Sequence, residues 1–209
     1  MNTSIQDAVN LGWKLAAVVK GRAPEPLLDT YHDERHPVGR RLLMNTRAQG
    51  LLFLSGEEVQ PVRDVLTELI RYPEVSRHLA GMVSGLEIHY DVGTGTHPLL
   101  GRRLPRLELA LPATSRPTTS FDLLTPGRGV LLDLEDTAVL RRRAEPWADR
   151  VDVVTARPTG VGADSPPAGT AALLVRPDGY VAWAAPGSHH DLPMALERWF
   201  GPSRADRLS

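Results

Sequence analysis

The chain contains no cysteine. Disulfides, thiolate metal sites and dithiol redox chemistry are therefore excluded, and a cytoplasmic location is the expectation that fits best. No apolar run approaches the ~20 residues that cross a bilayer, and the first residues show no basic stretch leading into an apolar one, so neither a membrane span nor a secretory signal is expected. Charge of one sign is lacking too. A formal net charge of -1 over 209 residues gives no electrostatic reason to expect nucleic acid or an anionic membrane as partner. Aromatics make up only 5% of the chain, too few to interleave with its arginines as a base-stacking surface would require.

What remains is an ordinary globular composition, 42% hydrophobic and 23% charged, long enough to bury a sizeable core. Residues 4–20 read as an amphipathic helix. Ile5, Ala8, Val9, Gly12, Leu15, Ala16 and Val19 share one stripe, with Trp13 and Lys14 beside it. Thr3 and Gln6 have the spacing of a capping box, and Gly21 stands where the helix should stop. A second helix is predicted from Pro26, and Pro37 should end or kink it. A third spans about 59–71 with Val62, Val65, Leu66, Leu69 and Ile70 on its face. A fourth follows Pro73 and ends near Ser84 and Gly85.

The pattern then changes. Residues 86–90 read as a short strand, and a Gly/Pro-punctuated connection follows. Beyond it come a buried-type strand at 130–134, a short helix at 136–143, a strand at 151–155, a hairpin pairing 171–176 with 180–183 across Pro177-Asp178-Gly179, and a closing helix at 192–200. The fold class expected is α+β, a helical segment over 1–95 followed by an α/β domain over 96–209.

Several clusters invite chemistry. His32 and His36 stand four apart, as two metal ligands on one helical face would, but no third ligand is suggested and Pro37 follows at once. Ser188, His189, His190 and Asp191 contain the residue types of a hydrolase triad, yet a triad converges from separate segments and no G-x-S-x-G elbow is present. Ser188 or Asp191 is expected to cap the last helix instead. Arg40-Arg41, Arg102-Arg103 and Arg141-Arg142-Arg143 read as solvated helix ends, and the four tryptophans as core or interface residues. No catalytic and no metal-binding residue is assigned.

Four stretches carry a resemblance. MNTSIQDAVNLGWKLA at 1–16, LLDTYHDERHPVG at 27–39, HPLLGRRLPRLEL at 97–109 and LLVRPDGYVAW at 173–183 resemble the C-terminal part of the FAD-dependent aromatic (polyketide) hydroxylases. The resemblance implies that Met1, Asn2 and Thr3 present backbone amides at a helix N-terminus to the pyrimidine edge of FAD, with Ser4 standing where that pattern often has Gly. It implies a structural helix with an ion pair at 32–36, and a thioredoxin-like C-terminal domain without a CxxC pair. It also implies that the segments holding the rest of FAD lie outside this sequence, since no G-x-G-x-x-G phosphate loop is present. The function expected is that of the C-terminal part of such a hydroxylase, inactive alone or completed by an FAD-binding half in trans. The alternative is a non-catalytic, thioredoxin-like accessory or oligomerisation module. A homodimer through the N-terminal helices would be the corresponding assembly.

Overall fold

The computed structural model describes residues 2–112, 116–160, 166–185, 191–204 and 206. Helix α1 spans Asn2–Val19 and α2 Pro26–Leu54; α3 (Gln60–Leu69) and α4 (Pro73–Ser84) follow. Gly21, at φ +62°, stops α1. Its N–H donates to Val18 O and that of Arg22 to Ala17 O, which satisfies two carbonyls at the helix end. Thr3 lies inside the first turn, so the expected capping box with Gln6 is not formed; the Gln6 side-chain oxygen Oε1 instead faces the Arg35 guanidinium at 3.5 Å. Nor does α2 end at Pro37, although the ring removes a backbone donor there. Glu34 and Arg35, buried immediately before it, fix the helix from its N-terminal side, and their contacts offset the lost bond.

Residues 86–90 form no strand. The segment makes one isolated bridge, His89 to Arg102, because the chain turns away at the glycines that follow. Three short strands then appear that the sequence reading did not anticipate. They are β1 (Glu108–Ala110), β2 (Thr118–Thr119) and, later, β5 (Arg157–Pro158), paired antiparallel in the order β2-β1-β5. Helix α5 (Ser120–Leu124) starts on a capping box between Thr119 and Asp122.

The main sheet comprises β3 (Gly129–Asp133), β4 (Val151–Thr155), β6 (Ala172–Val175) and β7 (Val181–Ala185) in the order β4-β3-β6-β7. β3 and β4 run parallel, joined across α6 (Ala138–Ala144); β6 is antiparallel to β3 and β7 to β6. α7 (Leu192–Phe200) closes the fold, so a βαβ unit and a ββα unit share one sheet. Side chains alternate between its two faces as the pleat requires. Leu131, Ala172, Leu174 and Ala182 join α6, α7, the inner side of α1 and Leu27 in one core. Val130, Leu132, Leu173, Val175 and Val181 meet Leu104, Leu107 and Leu109 in the other. Each such aliphatic side chain stabilises by about 1.5–3 kcal/mol when fully buried. The architecture is α+β. No helix among the described residues is long and apolar enough to cross a membrane.

Candidate functional site

Helix α1 is amphipathic in the opposite sense to the one its sequence suggests. Ile5, Val9, Leu15 and Val19 are exposed by 56, 48, 46 and 77%, while Asn10 and Lys14 are buried. Only Trp13, Ala17 and Val18 lean on the core of the chain. The helix therefore lies on the sheet by its polar side and by one tryptophan.

That polar side is held by a buried ionic network. Lys14 Nζ donates to Asn10 Oδ1 and to Glu34 Oε2, both at 2.9 Å. Asn10 Nδ2 donates to Glu34 Oε2 at 2.6 Å and to Asp178 Oδ2 at 3.2 Å. Arg176, fully buried at the end of β6, forks onto Glu34 at 2.5 and 2.9 Å and also donates to both oxygens of Asp178. The indole of Trp199 and the rings of Tyr90 and Trp13 stand 4.4–5.4 Å from its guanidinium carbon. Two cations and two carboxylates balance, which is the condition for burying any of them. Beside them Arg35 donates to Asp7 Oδ1 at 2.6 Å and to the Tyr90 hydroxyl at 2.8 Å. The structural helix with an ion pair, expected at 32–36, is thus two residues reaching in different directions.

The network's charges are unequally held. Burial pushes the Glu34 carboxyl up, but hydrogen bonds and charge from Arg176, with help from Lys14 and Asn10, outweigh it and hold it below the usual carboxylate range. Burial and the neighbouring Arg176 lower the Lys14 ammonium despite its contact with Glu34. Glu34 is bound by both arms of the Arg176 guanidinium, and Lys14 is the junior cation. Burial raises both Tyr90 and Tyr180, so these phenols stay protonated.

At the N-terminal end of α1 lies a cavity of about 360 Å³ between that helix, α2 and the segment 81–91. Asn2, Thr3 and Gln6 line one wall; Val38, Leu42 and Tyr90 are among the residues opposite. Met1 lies outside the described residues. Asn2 and Thr3 stand in the first turn of α1, at the helix end that favours negative charge.

The other candidates resolve plainly. His32 and His36 stack at 4.8 Å, and among the described residues no group of three or more metal-ligating side chains occurs. Ser188, His189 and His190 lie outside the described residues. Asp191 occupies the N-cap position of α7, but its carboxylate accepts from Trp183 Nε1 at 3.0 Å and makes no capping bond. Arg141 pairs with Asp136 at the surface. Trp147, Trp183 and Trp199 are buried, as expected of core residues. The ionic network escaped the sequence reading because its members are 142 residues apart, although a polar stripe of Asn10 and Lys14 opposite the apolar one was there to see.

An α+β domain with this sheet, preceded by a helix whose N-terminus borders a cavity, defines a class. The family model for the C-terminal part of aromatic-ring hydroxylases matches residues 97–203, about half of the chain, and that for an FAD binding domain matches 1–46. The chain belongs to the aromatic-ring hydroxylase family. Among relatives, it is 47% identical over 206 residues to the 12-dehydrotetracycline 5-monooxygenase/anhydrotetracycline 6-monooxygenase of Streptomyces rimosus, covering 97% of this chain and 40% of that one. It is 42% identical to the rifampicin monooxygenase of Streptomyces venezuelae, covering 98% and 39%. The structure of CabE, an aromatic hydroxylase from angucycline biosynthesis, superposes with a TM-score of 0.92 at 64% identity, over 98% of this chain and 41% of CabE. The chain therefore spans about 40% of the length of the curated relatives it matches.

Proposed function

We propose that the chain serves as the C-terminal part of an FAD-dependent hydroxylase of aromatic polyketides and works together with an FAD-binding portion. The observation that carries this reading is the inverted burial of α1. Its polar side is locked to Glu34 of α2 and, through Asn10, to Asp178 of the hairpin, and its apolar stripe is left for another surface. A helix so placed is held rigidly from behind and presents its N-terminus and its aliphatic face forward. In this reading residues 1–95 complete the flavin-holding part and 96–209 form a thioredoxin-like domain without thiol chemistry.

Asn2 and Thr3 fit a flavin edge, since the free amides and positive end of α1 favour negative charge on the ring's pyrimidine side. FAD, when bound, supplies the activation of oxygen. The chain's own contribution is to orient that edge and to keep it from water. Joined to an FAD-binding portion, the protein should consume NADPH and oxygen in the presence of an aromatic polyketide. Thr3→Pro removes one first-turn donor at a position where a helix tolerates proline. It should lower hydroxylation and leave the fold's melting temperature nearly unchanged. Full activity of Thr3→Pro would remove the amide from the account.

A second reading has one observation in its favour. The exposed Ile5, Val9, Leu15 and Val19 could equally meet a second copy of the chain, as a non-catalytic accessory module would use them. An FAD-binding portion that competes with self-association separates the two.

A further inference from the structure

Helix α1 is fastened to the rest of the chain at two levels. Asn10 and Lys14 hold its middle, through Glu34 and Asp178. Its first two turns are held differently. No side chain of residues 2–9 is buried, and none packs against either core. Among the described residues, the side-chain hydrogen bonds of these two turns all go to Arg35 of α2. Arg35 Nε donates to Asp7 Oδ1 at 2.6 Å, and its Nη1 faces Gln6 Oε1 at 3.5 Å. Gln6 and Asp7 stand four residues after Asn2 and Thr3, one turn further along the same sides of the helix.

The other end of this contact is rigid. Arg35 Nη1 donates to the Tyr90 hydroxyl at 2.8 Å, and both residues are buried. The Tyr90 N–H donates to Gly101 O and the Gly101 N–H to Val181 O of β7, each at 2.9 Å. Gly101, at φ +71°, lies so close that a Cβ there would meet Tyr90 O at 2.1 Å. The Tyr90 ring packs on Tyr180 with centroids 4.2 Å apart. Tyr90 is therefore tied to the edge of the main sheet by backbone and by ring. A guanidinium suits the gap between it and α1, because its planar fork sets two donors at a fixed angle. An ammonium could keep the charge contact with Asp7 but not the spacing.

We propose that Arg35 is a positioning residue. By clamping Asp7 to Tyr90 it sets where the first turn of α1, with Asn2 and Thr3, stands relative to the α/β domain. That domain thereby becomes the frame on which this helix end is registered. The consequence for the cofactor rests on the reading of this turn as flavin-facing; the clamp itself does not.

The test has two arms. In the chain alone, backbone nitrogen relaxation reads the order of residues 4–9 against that of 10–18. Order parameters of about 0.85 are expected throughout the unsubstituted helix, falling below about 0.6 over 4–9 alone in Arg35→Met. Arg35→Lys should recover part of the loss, and Arg142→Ala should change nothing. If Arg35→Met does not fold, Tyr90→Phe decides, since its ring can still pack on Tyr180; a smaller fall over the same residues is expected. In the complex with the FAD-binding portion of a relative, the flavin midpoint potential is measured. Misplacing the positive helix end should make it more negative in the same variants. Unchanged order over 4–9 in folded Arg35→Met, or in Tyr90→Phe where Arg35→Met fails, overturns the proposal. Lost order with an unchanged potential upholds the clamp and counts against the flavin-facing reading instead.

Discussion

Two regions of this molecule differ in what they bury and what they leave exposed. Where α1 and the first half of α2 lie on the sheet, the buried side chains include Asn10, Lys14, Glu34 and Arg35. From the second half of α2 through α4 no side chain is fully buried, and Leu43, Leu51, Phe53, Leu54, Val62, Val65 and Val83 are exposed. The charged residues are inside and the large apolar ones outside. Hydrophobicity sets what burial is worth, but which residues are buried depends on which surfaces are present to receive them. The ionic network marks an interface satisfied within the chain; the helical region has the composition of one that is not.

The sharpest way to break that comparison is Arg176→Met. It leaves Glu34 and Asp178 bridged by Asn10, with Lys14 on Glu34 as the network's remaining cation, and removing one member of a buried charge network costs about 3–5 kcal/mol. Urea unfolding should show a loss of that order or a chain that does not fold; an unchanged midpoint would mean the network is ornamental. Lys14→Met should cost less, about 1–2 kcal/mol, because burial already disfavours that charge and Glu34 keeps its contact with Arg176.

The exposed side of the comparison is probed by Val9→Asp or Leu15→Asp. Light scattering at micromolar concentration should show self-association of the chain expressed alone, and either substitution should give monomer or insoluble protein, with Arg142→Glu leaving the mass unchanged. A monomer before any substitution would contradict self-association through this stripe and leave it to the FAD-binding portion alone.

A smaller effect is expected with acid. The Glu34 carboxyl is held below its ordinary value of 4.5 in the folded chain, so the unfolded chain binds its proton more readily. Its stabilisation is therefore present above pH 4.5 and is lost as the pH falls through the lowered folded value. In Glu34→Gln that part of the acid slope should vanish, while the slope from exposed carboxylates remains.

The sequence made some elements legible for local reasons. β4 and α7 lie where the pattern of their own residues puts them, and the hairpin follows from Pro177-Asp178-Gly179. Thr119 and Asp122 also spell a capping box that was there to be read. β1, β2 and β5 were not legible, because strands of two or three residues carry no periodicity and exist only through their partners. The survival of α2 through Pro37 was hidden for the same kind of reason. It rests on Glu34 and Arg35 meeting groups from other parts of the chain. Of the candidate site, residues 1–3 were named through the resemblance alone, and Asn2 and Thr3 border the cavity; the network behind them required three dimensions.

In the proposed function the front of α1 is a surface for an FAD-binding portion. Its most direct test is to express this chain together with the FAD-binding portion of a relative, ending where the match to this chain begins, and to purify through a tag on this chain. A complex that carries FAD in one-to-one ratio and is disrupted by Val9→Asp is expected, while the chain alone purifies without flavin. Stoichiometric FAD on the chain alone, or an FAD-binding portion that ignores it, would contradict the account.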